Sequence, residues 1–222
     1  MSKVKALIFD MDGLIFDSER VVQRSWNKAG EILGYGSVGE QIYHTLGFNV
    51  KRREEYFKSI YGEDFPMEQF GELTRKYFFE IADAEGIAMK EGVRELMEFV
   101  HNRGLKIGLA TSSRREYSMK MLKTAGIWEY FDGSVFGDMV TKAKPDPEIY
   151  LKACEAVGVS PAESMALEDA PAGIRASHAA GMLPVMVPDM VEPSEEILDL
   201  CYRKVQSLME VIPLICEIDN LW

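Results

Sequence analysis

Val4-Lys5-Ala6-Leu7-Ile8-Phe9 is a near-continuous apolar run that stops abruptly at Asp10-Met11-Asp12-Gly13. Apolar residues at successive positions demand cover on both faces, the condition of a strand inside a parallel sheet. Two carboxylates at the tip of such a strand are costly, because ionised groups beside a core need partners. A site handling phosphate and a metal ion supplies those partners. The tetrapeptide therefore constrains fold and chemistry together.

Similar apolar runs recur at Leu105-Lys106-Ile107-Gly108-Leu109-Ala110-Thr111, Ser164-Met165-Ala166-Leu167 and Pro184-Val185-Met186-Val187, with a weaker one at Gly133-Ser134-Val135-Phe136. Helical spacing separates them: Val93, Leu96, Met97 and Val100 share a face, as do Tyr117, Met121 and Leu122. Asp146-Pro147-Glu148 starts a further helix with Pro147 suited to its first position, and Pro171 opens another. The alternation predicts an α/β fold with a doubly wound, Rossmann-like parallel sheet. About 90 residues separate the first two strands, whereas a βαβ unit needs only about 30. The intervening pattern reads as helices near 18–33, 38–46, 51–61 and 67–85. This predicts a small all-helical cap inserted after the first strand, residues 16–88, with residues 1–15 and 89–222 forming the core.

The formal net charge is -11, from 36 Asp+Glu against 25 Lys+Arg. Such a surface repels nucleic acid and anionic lipid, and an anionic substrate would need a locally positive site. Cys154, Cys201 and Cys216 are odd in number and lack CxxC spacing, which fits free thiols in a reducing compartment. No apolar run is long enough for a signal peptide or a membrane span. A cytoplasmic monomer or weak dimer is the expectation. His44, His101 and His178 fall on helix patterns away from the strand ends, where packing or exposure is expected.

In an open parallel sheet, ligands gather beyond the carboxyl ends of the strands. Those positions hold Asp10 and Asp12, Thr111 and Ser112, Lys144, and Glu168 and Asp169. All-oxygen ligands suit a hard cation such as Mg²⁺, with Asp10 and Asp169 as candidate carboxylate ligands. A carboxylate there can also attack phosphorus, and a second can move a proton to and from the leaving oxygen. Lys144 offers a compact positive charge, and the Thr111 hydroxyl and Ser112 amide can hold phosphoryl oxygens. Taken singly, each element has an ordinary reading as a turn, a helix cap or a solvated lysine. Their order at the ends of one sheet is what points to chemistry.

Asp10-Met11-Asp12-Gly13-Leu14-Ile15-Phe16-Asp17-Ser18-Glu19 resembles the first motif of the haloacid dehalogenase-like phosphohydrolases. Ala110-Thr111-Ser112-Ser113, Lys144-Pro145-Asp146-Pro147 and Leu167-Glu168-Asp169-Ala170-Pro171-Ala172-Gly173-Ile174 resemble the second, third and fourth. The resemblance spans essentially the whole chain, and the most similar subgroup contains phosphatases and β-phosphoglucomutases with a helical cap. It implies Asp10 as nucleophile and Mg²⁺ ligand, and Asp12 as general acid/base with its backbone carbonyl on the metal. It implies Thr111, Ser112 and Lys144 on the phosphoryl group, Asp169 as a direct metal ligand, and Glu168 beside it. Asp17, Ser18 and Glu19 match the motif but read as a helix cap and hinge.

The resemblance leaves two reactions. In its mutases a histidine follows a few residues into the cap, where this chain has Val22, and a cap arginine follows a glycine closely. Here Gly47-Phe48-Asn49-Val50-Lys51-Arg52 spaces the arginine differently. Both departures favour a Mg²⁺-dependent phosphatase of a small phosphorylated metabolite, working through an aspartyl-phosphate, over a phosphosugar mutase. Asn49 and Arg52 are candidate substrate contacts from the cap, although a solvated helix start explains Lys51, Arg52 and Arg53 as well. A non-enzymatic phospho-accepting receiver module is a further alternative. Such modules lack an inserted cap and carry their acceptor Asp after a middle strand. Dehalogenase chemistry, which uses no Mg²⁺, would leave Asp12 and the Glu168-Asp169 pair with no cation to serve.

Overall fold

The computed structural model describes residues 4–45 and 50–218. Six strands form one sheet: β1 (Ala6–Phe9), β2 (Lys106–Ala110), β3 (Gly133–Val135), β4 (Ser164–Glu168), β5 (Leu183–Met186) and β6 (Arg203–Lys204). Their order is β3-β2-β1-β4-β5-β6, with every neighbouring pair parallel. The chain winds from β1 to β2 and β3 on one side, then returns to lay β4, β5 and β6 on the other. That reversal beside β1 is a topological switch point, where the strand ends leave room for a ligand.

All four residues of β1 are fully buried, as its uninterrupted apolar run requires. Five strands coincide with the apolar runs read from the sequence. The sixth, β6, was not expected: it is a two-residue edge strand of charged residues and has no apolar run to announce it.

The described chain divides into two compact units, residues 1–16 with 89–222, and residues 17–88. The regular elements described in the second unit are all helical: α1 (Ser18–Ile32), a 3₁₀ turn at Gly39–Gln41, α2 (Ile42–Thr45), α3 (Val50–Tyr61) and α4 (Met67–Glu85). Over its described residues, 38–45, the helix expected at 38–46 is a tight turn followed by a single helical turn, and residue 46 lies outside the described residues. The Gly39 N–H donates to Asn27 Oδ1 at 2.6 Å, which anchors that turn to α1. The core of this unit is aromatic. Ring centroids lie 5.3 Å apart for Trp26 and Phe57, 5.1 Å for Phe57 and Phe70, and 5.1 Å for Phe57 and Phe65. Asp17 precedes α1 without capping it through its side chain; it pairs instead with Arg20 at 3.1 Å.

The first unit flanks its sheet with α5 (Val93–Asn102), α6 (Arg115–Thr124), α7 (Glu148–Val157), α8 (Pro171–Ala179), α9 (Glu195–Leu198) and α10 (Val211–Ile218). α7 begins one residue later than expected, with Pro147 as its N-cap. Cys154 and Cys216 are buried, Cys201 is partly buried, and all three are free thiols.

Candidate active site

Strand register sets the first contact. Phe9 pairs with Leu167, so Asp10 and Glu168 are the next residues on adjacent strands, and the Asp10 N–H donates to Leu167 O at 3.0 Å. Both side chains are almost wholly buried. Lys144, from the loop after β3, enters between them: its Nζ lies 2.5 Å from Asp10 Oδ1, 2.6 Å from Glu168 Oε1 and 3.0 Å from Ala110 O. An ammonium has three protons, and these contacts use all three. The loop behind it is tied down by Glu148, whose carboxylate accepts from the Thr141 and Lys142 N–H groups and the Thr141 hydroxyl. Together with Lys152, these donors hold the Glu148 carboxyl down to about 2.

Burial and charge oppose each other here. Burial pushes the Glu168 carboxyl above the usual range and neighbouring Asp10 adds to the effect, against the pull of Lys144 and Tyr150. Burial alone would lower the Lys144 ammonium, but Asp10 and Glu168 carry it above its ordinary value. The Tyr150 phenol, fully buried and donating to Glu168 Oε1, is raised well above its ordinary value by burial and by the charges of Glu168 and Asp10. Lys144 is therefore held as an ammonium by the two acidic groups it touches.

Asp169 joins at the β4 end: one oxygen from each of Asp10, Glu168 and Asp169 lies within 4.8 Å of the others. Gly13 makes the approach possible. At φ +84° it bends the chain away from β1, and a Cβ there would sit 2.2 Å from Asp169 Oδ2. The three carboxylates exceed the charge of Lys144 by two, and all their donor atoms are oxygen. That set fits a divalent hard cation such as Mg²⁺.

The remaining expected residues separate. The Asp12 carboxylate stands outside that trio and accepts from the Ser113 hydroxyl at 2.6 Å. Thr111 is buried, and its hydroxyl accepts the Ser113 N–H at 3.1 Å, while Ser112 is exposed. Arg52 is an exposed residue of α3, and Asn49 lies outside the described residues. His44, His101 and His178 are exposed.

Three residues of the site were given no role from the sequence, although Ser113 and Gly173 lie within the second and fourth motifs. Tyr150 sits among apolar positions of α7 and reads as core. Gly173 reads as a small helix residue, yet a Cβ there would meet Glu168 Oε1 at 1.8 Å. Ser113 reads as part of a Thr-Ser-Ser helix N-cap. Only the fold brings each one to a carboxylate.

The sequence profile of the haloacid dehalogenase-like hydrolases matches residues 7–187. The chain is 33% identical over 188 residues to a phosphorylated carbohydrates phosphatase of Thermotoga maritima, covering 81% of this chain and 82% of that one. It is also 33% identical over 193 residues to a beta-phosphoglucomutase of Bacillus subtilis, covering 83% of each. The crystal structure of a beta-phosphoglucomutase from Clostridium difficile matches with a TM-score of 0.74 at 25% identity, over 98% of both chains. Among the described residues no helix is long and apolar enough to cross a membrane.

Proposed function

The chain belongs to the haloacid dehalogenase-like hydrolases, and on that premise we propose that it is a Mg²⁺-dependent phosphatase of a small phosphorylated metabolite, a sugar phosphate or similar. The observation that carries this reading is the convergence of Asp10, Lys144, Glu168 and Asp169 at the ends of β1 and β4. The phosphatase relative supports the substrate class.

An Asp10 carboxylate oxygen attacks phosphorus; the bond from phosphorus to the substrate's ester oxygen breaks, and Asp12 gives that oxygen its proton. Asp10 then carries the phosphoryl group as an acyl phosphate. Water attacks the same phosphorus and loses its proton to Asp12, inorganic phosphate leaves, and the Asp10 carboxylate returns. Lys144 opposes the charge on the phosphoryl oxygens throughout, and Thr111 and Ser112 hold them from the β2 side. Asp10 and Asp169, with the Asp12 backbone carbonyl, would hold Mg²⁺, with Glu168 beside them. The cation would neutralise phosphoryl charge and orient the group for in-line attack. The Asp12 carboxylate accepts from the Ser113 hydroxyl and is not one of the three clustered carboxylates, a position suited to proton transfer.

A mutase runs the same first half-reaction and differs in the acceptor, a second sugar hydroxyl in place of water. The beta-phosphoglucomutase relative favours keeping it as the second reading. Val22 on α1, where the resemblance gives mutases a histidine, favours hydrolysis.

A panel of phosphorylated sugars, polyols and nucleotides, assayed for inorganic phosphate and for β-glucose-1-phosphate isomerisation, separates the two. Asp10→Asn should lower turnover at least about 10⁴-fold, and EDTA should abolish it. Wild-type rates persisting in either case would refute the mechanism.

A further inference from the structure

We propose that Tyr150 is a positioning residue for phosphoryl binding, fixing Glu168 and through it the ammonium of Lys144. The inference rests on the phosphatase reading above and adds a residue to it.

Tyr150 is fully buried in an apolar cluster with Ala6, Ile8, Ala110 and Val135, side chains drawn from three strands. A ring packed this way has few rotamers open to it, so its hydroxyl is a donor of fixed position. That hydroxyl donates to Glu168 Oε1. The ring face meanwhile lies 5.0 Å from Lys144 Nζ, within reach of a cation–π attraction. One side chain therefore touches both members of the ion pair by different means. Gly173 of α8 also leaves no room for a side chain, since a Cβ there would lie 1.8 Å from Glu168 Oε1. Glu168 is therefore confined by an immobile donor and by a helix that approaches it closely.

The consequence concerns the three protons of Lys144. Ala110 O belongs to β2, and Glu168 is anchored by Tyr150, so two acceptors are framework. The third, Asp10, is the group the reaction converts to an acyl phosphate. As Asp10 loses its charge to phosphorus, the proton facing it becomes available to the phosphoryl oxygens. Tyr150 keeps the other two contacts in place during that exchange. Without the phenol oxygen, Glu168 loses its fixed donor and Lys144 loses the frame that aims it.

The test uses Tyr150→Phe, which keeps the ring and removes one oxygen. With Mg²⁺ present and p-nitrophenyl phosphate as reporter, the inhibition constant of inorganic phosphate should weaken about tenfold or more, and kcat/KM should fall comparably. Mg²⁺ affinity by calorimetry should move by less than about threefold. In a Glu168→Gln background the same substitution should add less than about twofold, because it acts through Glu168. A phosphate constant within twofold of wild type, an equal loss of Mg²⁺ affinity, or a full tenfold loss in the Glu168→Gln background would each overturn the proposal. Should Tyr150→Phe not fold, the ¹³Cζ resonance of Tyr150 in labelled wild type decides. It should shift when inorganic phosphate is added with Mg²⁺, and no shift overturns the proposal. A wild type that neither releases phosphate from any ester nor binds inorganic phosphate sinks the phosphatase reading itself. Normal wild-type turnover beside an unaffected Tyr150→Phe sinks only the role of Tyr150.

Discussion

Asp10 and Glu168 at the end of the sheet are nearly as inaccessible as Trp26, Phe57 and Phe70 in the inserted unit. Opposite physics holds the two sets. The aromatic cluster gains from every contact, each ring pair adding about 0.5–1.5 kcal/mol beyond area burial. The polar cluster takes charges out of water, and its members are tolerable only because each holds another. Removing one ring leaves a cavity with a local cost. Removing one charge leaves a partner stranded, so the damage extends beyond the deleted atoms. The difference teaches where this protein tolerates change: the aromatic core constrains volume, and the sheet end constrains pairing.

The sharpest way to break the comparison is Lys144→Met. Asp10 and Glu168 would then share a buried site with no ammonium, which costs about 3–5 kcal/mol without metal. Calorimetry should show a lower Tm, by about 10 °C for a unit of this size. Turnover should fall by at least about 10²–10³-fold. A variant of unchanged stability would mean that the carboxylates do not depend on Lys144.

Phe57→Ala should cost the inserted unit a similar amount, about 3–5 kcal/mol, by leaving a cavity among Trp26, Phe65 and Phe70. Hydrogen exchange should quicken in α1 and α4 while β1 and β4 keep their protection. Equal loss in both places would erase the distinction between the two units.

Saturating Mg²⁺ should stabilise the wild-type sheet unit by about 2.7 kcal/mol at one hundred times its Kd. The gain should survive Phe57→Ala and vanish in Asp169→Asn, as read by thermal unfolding with and without EDTA. A gain retained in Asp169→Asn would move the cation elsewhere.

The smallest expected effect is at Glu148. Its folded value of about 2 lies below the ordinary 4.5, so its contribution is present above pH 4.5 and is lost as the pH falls towards 2. The Thr141 and Lys142 amides should therefore be protected at pH 7 and lose protection in that acid window. Glu148→Gln should remove most of the pH dependence, with only a slight change in Tm, since the group is only partly buried and its Lys152 partner is open to solvent.

Much of this protein was legible before any coordinates. The buried-on-both-faces pattern of Val4 to Phe9 required a parallel sheet, and the strand-end positions named Asp10, Lys144, Glu168 and Asp169. Local composition was a sufficient signal there, because burying a continuous apolar run leaves few architectures and ionised residues at its end are conspicuous. β6 was invisible because an edge strand needs a hydrogen-bonding neighbour and no apolar run.

What the chain alone determined is the inventory: apolar strands, an inserted helical stretch, and carboxylates and one lysine at predictable ends. What only the tertiary structure decided is the pairing. Register set Asp10 level with Glu168, the packing of α7 turned Tyr150 from a core residue into a hydrogen-bond donor, and Ser113 met the Asp12 carboxylate as its donor. The reason is range. Patterning follows from neighbours a few residues apart, whereas a buried charge is stabilised by atoms within about 3 Å that lie 134 residues away in the case of Lys144 and Asp10.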